Sequence, residues 1–131
     1  MEHKKAQVAM EFIIITGAVF FFVSIFFLAV QENMREKIEA KQNILVKEIA
    51  LIVQDEINLA LESGDGYSRN FKIPGKAGNL EYEINITSGV VFIKTKDDKY
   101  ALALPVPEIT GNINISNNKI EKINGAIYLN Q

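Results

Sequence analysis

The chain has 131 residues, no cysteine and a formal net charge of −2, and 48% of its residues are hydrophobic. This length leaves room for little more than one small domain, and the lack of cysteine excludes disulfides and thiolate metal sites. A slightly acidic chain has no basic face of the kind that follows a phosphate backbone, so we expect no nucleic-acid partner.

Residues 12–30 are a run of about nineteen nearly uninterrupted apolar residues without a charge. As a helix this run is long enough to cross a hydrocarbon core of roughly 30 Å. A secretory signal has a shorter apolar stretch with a small-residue cleavage site behind it. Here a helix-favouring sequence follows directly, so we expect any processing in front of the run. Lys4 and Lys5 favour a cytoplasmic amino end, which puts everything after residue 30 outside.

A short motif precedes the apolar run. Gln7, Ala9 and Glu11 follow Lys4 and Lys5 in a pattern that resembles the class III signal peptide of archaeal type IV pilin-like proteins. The usual motif of that family is Gln-x-Ser-x-Glu followed by an apolar helix, and Ala9 stands where Ser is usual. The resemblance covers about the first thirty residues, and the rest of the chain only in general architecture.

The resemblance implies processing by a prepilin peptidase between Ala6 and Gln7. Residues 1–6 would then be a cleaved leader, and residues 7–30 would be the membrane-spanning and filament-core helix of the mature protein. The sole histidine, His3, would be lost with the leader.

Glu11 is a candidate functional residue because a carboxylate at the edge of the hydrocarbon needs a partner or nearby water. In a pilin-like protein the partner would be the α-amino group of Gln7, in the same or a neighbouring subunit. Phe12 would begin the apolar surface used in assembly. The alternative is that Glu11 lies at headgroup level in contact with water.

Residues 31–63 predict an amphipathic continuation of the helix. Apolar residues recur there mostly three, four or seven positions apart, which places them on one stripe. The members of the stripe are Ile38, Leu45, Ile49, Ile52, Val53, Ile57, Ala60 and Leu61. The Gly-rich sequence after residue 62 predicts the helix end, and residues 63–69 are predicted as a linker.

Residues 64–131 predict an extracellular β-rich head. Residues 80–87 alternate apolar and polar side chains, as a half-buried strand does. Ser88 and Gly89 predict a tight hairpin turn after this strand, and residues 96–99 predict a second polar turn.

Later in the head, Pro105 and Pro107 are expected to break strand pairing. Asn117 and Asn118 suit the positive φ angles of a hairpin turn. A last strand is predicted at residues 126–129.

The predicted fold class is therefore α+β. A long N-terminal helix, first membrane-spanning and then amphipathic, precedes a C-terminal antiparallel sheet of about five to seven strands packed on the outer half of the helix. This is the general architecture of type IV pilins.

Catalytic chemistry is poorly supported by the residue types present. Without His3 the mature chain cannot assemble a Ser-His-acid triad or a histidine metal site. Glu81 and Glu83 share a strand face, but alternation on a solvated face accounts for both. Asp97 and Asp98 lack the ligand spacing of a calcium loop and are predicted as part of a turn. We expect no enzymatic activity, no metal and no cofactor.

Two sequons are candidate N-glycosylation sites. Asn85-Ile86-Thr87 and Asn114-Ile115-Ser116 both fit the acceptor pattern, which is modified only outside the cytoplasm. Glycosylation is frequent in the family that the chain resembles.

Taken together, the resemblance implies a major or minor subunit of an archaeal type IV pilus-like surface filament that serves adhesion. Its partners would be the prepilin peptidase, identical or related pilin subunits, an assembly platform, and membrane lipid before assembly. The alternative is a permanently membrane-anchored surface protein, binding or accessory, that never polymerises.

Overall fold

The computed structural model describes residues 2–131, with side chains from Lys4 onward. Met1 and the side chain of His3, both in the expected leader, lie outside the described residues. The first element is one helix, α1, Glu2–Glu62. The chain divides into two compact units: the residues up to Glu39, which belong to α1, and a head unit, Ala40–Gln131.

Seven strands follow α1, and with it they confirm the predicted α+β class. The strands are β1 Ser68–Lys72, β2 Tyr82–Thr87, β3 Val90–Thr95, β4 Ala101–Pro105, β5 Thr110–Gly111, β6 Asn117–Ile123 and β7 Ala126–Leu129. They form two sheets instead of the single sheet expected, one in the order β2-β3-β4 and the other in the order β1-β6-β7-β5. All pairs are antiparallel except β5 with β7, which is parallel.

The two-sheet arrangement follows from the chain path after β4. Pro105 is still paired, opposite Val90, and the N–H of Val106 donates to the carbonyl of Gly89 at 2.9 Å, so the expected break begins only after Val106. Neither Pro105 nor Pro107 has an N–H group to extend the ladder, and the chain crosses to the other sheet. There Thr110 pairs with Tyr128.

The predicted turn at Asn117 and Asn118 is wrong, because both residues begin β6. Asn118 is buried and is held by hydrogen bonds within the head. The tight turn of this hairpin lies instead at Asn124 and Gly125, whose φ angles of 50° and 77° suit a type I′ turn. The predicted last strand is confirmed as β7.

The predicted linker at residues 63–69 is also partly wrong, because β1 begins at Ser68. β1 pairs with β6, with Phe71 opposite Asn118. Its sequence has a single buried apolar residue, Phe71, and so lacks the alternation that identifies a strand.

The core of the head lies between the outer half of α1 and both sheets. The helix contributes six buried residues, which are Val46, Ile49, Ala50, Val53, Ile57 and Ala60. Strand residues such as Val91, Ile93, Ile120 and Leu129 complete the core. Four members of the predicted stripe are buried and two are partly buried, whereas Ile38 and Leu61 are exposed.

Candidate functional site

The apolar run of α1 is exposed on all sides. Phe20, Phe21 and Phe22 are 69%, 64% and 69% exposed. Successive helical residues point about 100° apart, because there are about 3.6 residues per turn. Three adjacent exposed rings therefore lie on more than half of the helix circumference. None of the most apolar 18-residue stretch of the helix is buried, and by length and composition this helix can cross a membrane.

Two polar side chains, one within the run and one just after it, are hydrogen-bonded inside the helix. The hydroxyl of Ser24 donates to the carbonyl of Phe20 at 2.8 Å. The amide of Asn33 donates to the carbonyl of Ala29 at 2.9 Å. Hydrogen bonds of this kind let polar side chains lie in a hydrocarbon environment at low cost.

The residues of the processing motif all lie on α1 and are exposed. Gln7 Nε2 donates to Glu11 Oε1 at 3.3 Å, one helical turn apart. Glu11 therefore has a neutral donor within its own chain before any cleavage. We did not predict this bond from the sequence, although the spacing of four residues signals it. Ala6, Ala9 and Phe12 are exposed on the same helix.

The two sequons differ in their structural setting. Asn85 is exposed on β2, directly opposite Phe92 of β3. Asn114 is exposed between β5 and β6. The side chain of Asn118 engages both backbone groups of Asn114, accepting from its N–H and donating to its C=O, each at 2.7 Å.

Several carboxylates of the head have structural partners. Lys96 Nζ donates to Glu81 Oε2 at 2.7 Å, and this hydrogen bond, followed by the charge of Lys96, lowers the pKa of Glu81. The hydroxyl of Thr95 donates to Asp97 Oδ1 at 2.6 Å and lowers the pKa of Asp97. Among the described residues, no three His, Cys, Asp or Glu side chains come together to hold a metal ion.

Asp65 and Asp98 are likewise engaged. Asp98 pairs with Lys94 Nζ at 2.7 Å, across the turn after β3. Asp65 Oδ1 accepts from the backbone N–H of Gly125 at 2.8 Å and so ties the segment after α1 to the β6–β7 turn. These contacts give each group a structural role.

An asparagine network in the head was not predicted from the sequence. Asn118 is only 3% exposed, and its Oδ1 accepts from Asn130 Nδ2 at 2.7 Å. Asn130 has a φ of 55° and also donates to the carbonyl of Asn112 at 2.8 Å. The network lies beside an open depression of about 550 Å³, also lined by Lys72 and Lys119. No pattern of spacing in the sequence signals these contacts.

Comparison of the chain with protein-family models, with curated proteins and with solved structures finds no match.

Proposed function

We propose that the chain is a structural subunit of a surface filament of the type IV pilin-like class. The observation that carries the proposal is the apolar run of α1, exposed on every side. Two other features support the same interpretation. One is the motif from Gln7 to Glu11 at the amino end of the run, and the other is the folded β-rich head that follows it.

The physical argument starts from the environment that such a helix requires. A helix that is apolar all round needs an apolar environment around its whole circumference. Lipid supplies this environment before assembly, and neighbouring apolar helices supply it afterwards. Burial of apolar surface is favourable by about 25 cal/mol per Å², which keeps the run out of water during the exchange. When one heterologous contact between subunits is repeated and the rotation per subunit does not close into a ring, the subunits form a helical filament.

In this proposal the precursor inserts with the head outside, and a prepilin peptidase cuts before Gln7. The cut exposes a positively charged amine four residues from Glu11. Before the cut, the carboxylate of Glu11 has the side-chain amide of Gln7 as its donor, at 3.3 Å. An ionic partner is stronger than this neutral amide, so the cut strengthens the pairing of Glu11. An assembly platform then transfers the processed subunit into the filament.

The test uses full-length protein from the native membrane. The proposal predicts a mature amino terminus at Gln7 and filaments visible by electron microscopy. Glu11→Gln keeps the size of the side chain and removes its charge, so the variant is expected to insert in the membrane and to lose most filaments. Glu36→Gln makes the same change beyond the apolar run and serves as the control. Its filament yield is expected to match that of the unmodified chain.

One result would contradict the proposed filament subunit, and another would contradict only the role given to Glu11. An intact leader on a membrane-bound protein without filaments would support the alternative, a permanent surface anchor. Normal filament yield from the Glu11→Gln variant would remove the role of Glu11 in assembly.

A further inference from the structure

An exposed aromatic ring stands directly beside one of the two sequons. Phe92 is 46% exposed, although it lies on β3, the central strand of its sheet. Its cross-strand neighbours are Asn85 on β2 and Ala103 on β4. Side chains directly opposite each other on one face of a sheet have Cβ atoms about 4.5–5.5 Å apart. The side chains of Asn85 and Phe92 are therefore within contact distance.

The surroundings leave one face of the ring open. Ala103 is exposed and ends at Cβ, so no long side chain from β4 can cover Phe92. A shallow depression of about 320 Å³ lies here, lined by Glu83, Asn85, Phe92 and Lys94, together with Ile84. This volume is at the small end of the range of ligand pockets, about 300–1,000 Å³. It suits a single ring with polar groups at its edge.

We propose that Asn85 carries an N-linked glycan and that Phe92 is the platform on which the first sugar ring packs. A pyranose ring presents a face of C–H groups, which fits an aromatic face, while its hydroxyl groups point outward. Glu83 and Lys94 flank the depression as an acceptor and a donor for those hydroxyls. Lys94 Nζ also pairs with Asp98 at 2.7 Å on the surface beside the site.

The attachment follows ordinary glycosyl transfer from a phosphate-activated sugar. Asn85 Nδ2 forms a bond to the anomeric carbon, and the bond from that carbon to the phosphate oxygen breaks. The phosphate leaves with the electron pair, and the proton lost by the amide nitrogen passes to the phosphate or to solvent, so charge and atoms balance. Asn85 and Thr87 are both exposed on the same face of β2, and β2 is an edge strand, so the acceptor is accessible.

The second sequon lacks this arrangement. Asn114 lies outside the strands and has no cross-strand ring, and Asn118 engages both of its backbone groups. Ser116, the hydroxyl residue of that sequon, is partly buried and has a φ of 93°. The structure therefore distinguishes Asn85 from Asn114 as the site with a built sugar platform.

The inference rests on the extracellular placement of the head in the proposed function, but not on filament assembly. The experiment begins with full-length protein purified from its native membrane. Peptide mapping by mass spectrometry is expected to find a glycan on Asn85. An unmodified Asn85 in this protein would overturn the inference.

The platform is tested by a double-mutant cycle in the glycosylating host. Phe92→Ala is made in the glycosylated chain and in an Asn85→Gln background, and unfolding is measured for each. We take the packing of a pyranose ring on Phe92 to be comparable to that of an aromatic pair, which is worth about 1 kcal/mol, or roughly fivefold in an equilibrium constant. We expect Phe92→Ala to raise the unfolding constant about fivefold more when Asn85 carries the glycan.

Two further variants separate packing from a general effect on the strand. Phe92→Trp keeps an aromatic face and is expected to retain the difference between the two backgrounds. Ile123→Ala removes a side chain of similar exposure, 49%, away from either sequon, and is expected to act equally in both. Equal effects of Phe92→Ala in both backgrounds would overturn the platform. Electron microscopy reports on filaments separately, so a glycan on Asn85 without filaments would contradict only the proposed function.

Discussion

The C-terminal end of α1 is stabilised by a lysine from a distant strand. The last turn of the helix contains no basic residue. Lys122 on β6 supplies the missing charge, and its Nζ donates to the carbonyls of Leu61 at 2.6 Å and Ser63 at 2.7 Å. These carbonyls lie at the helix end, where acceptors lack helical partners and a positive charge is favourable.

We expect Lys122→Met to destabilise the head by about 2 kcal/mol. Methionine keeps the unbranched stem and removes the charge and both hydrogen bonds. A hydrogen bond to a charged group contributes about 1.5–3 kcal/mol, and the helix-end charge adds about 0.3–1 kcal/mol. One of the two bonds is exposed to water, so the sum is reduced. For a domain of this size the loss corresponds to a decrease of roughly 10 °C in Tm.

The assay follows thermal unfolding of the full chain in detergent by near-ultraviolet circular dichroism of tyrosine. All four tyrosines lie in the head, so this signal does not report on the apolar run. Lys119→Met is the matched control on the same strand, since Lys119 pairs with Glu121 on the surface at 2.7 Å. A surface pair of this kind contributes at most about 1 kcal/mol. If Lys122→Met lowers Tm no more than Lys119→Met, the helix end does not depend on this lysine.

Three further predictions concern the core of the head. Gly111→Ala is expected to lower the free energy of unfolding by about 3 kcal/mol or more, because φ is 115° and a Cβ would lie 1.9 Å from the carbonyl oxygen of Leu129. An unchanged urea midpoint would contradict this. Ile57→Ala is expected to lower the free energy of unfolding, measured in urea, by about 2–5 kcal/mol, because Ile57 is fully buried. A decrease below about 1 kcal/mol would show instead that the site collapses around the alanine. Burial raises the pKa of Tyr82, whose hydroxyl donates to the carbonyl of Pro74. The neutral phenol therefore stabilises the head fully below its unfolded pKa of about 10, and this stability is lost as pH rises through the raised folded value. Tyr82→Phe is expected to remove that alkaline loss in a series of urea midpoints against pH, and an identical pH profile for both proteins would refute it.

Local patterns in the sequence were sufficient where local chemistry determines the structure. The alternation at residues 80–87 predicts β2, because a strand with one buried face must repeat every two residues. Ser88 and Gly89 have φ angles of 52° and 74°, as a tight hairpin between β2 and β3 requires. The buried stripe on the outer half of α1 follows in the same way from the helical period.

Local patterns failed where distant residues decide the structure. Asparagine pairs favour turns, but Asn118 is drawn into β6 by hydrogen bonds to Asn114 and Asn130. Phe71 is the single buried apolar residue of β1, which is too little for a recognisable pattern, and the strand is stabilised by pairing with β6, far along the chain. The importance of Lys122 could not be predicted either, since its carbonyl partners are about sixty positions away in sequence.

In the candidate site, too, local contacts follow from the sequence and long-range contacts do not. The bond between Gln7 and Glu11 is local to one helical turn and follows from spacing. The platform at Phe92 needs the register of β2 against β3, which places Asn85 opposite the ring and which spacing alone does not specify.

The two halves of α1 place different demands on their surroundings. In the head, the buried helix residues lie on one side, and two sheets are enough to cover them. In the apolar run, adjacent residues such as Phe20, Phe21 and Phe22 are all exposed, so contact along one side would leave apolar surface in water. Only an environment that surrounds the helix removes this cost, and both lipid and a bundle of like helices do so. The apolar surface alone therefore does not distinguish an anchor from a filament subunit. The Glu11→Gln variant would distinguish the two, because in lipid Glu11 needs only the headgroup region, whereas within a bundle it needs a cationic partner that cleavage before Gln7 would create.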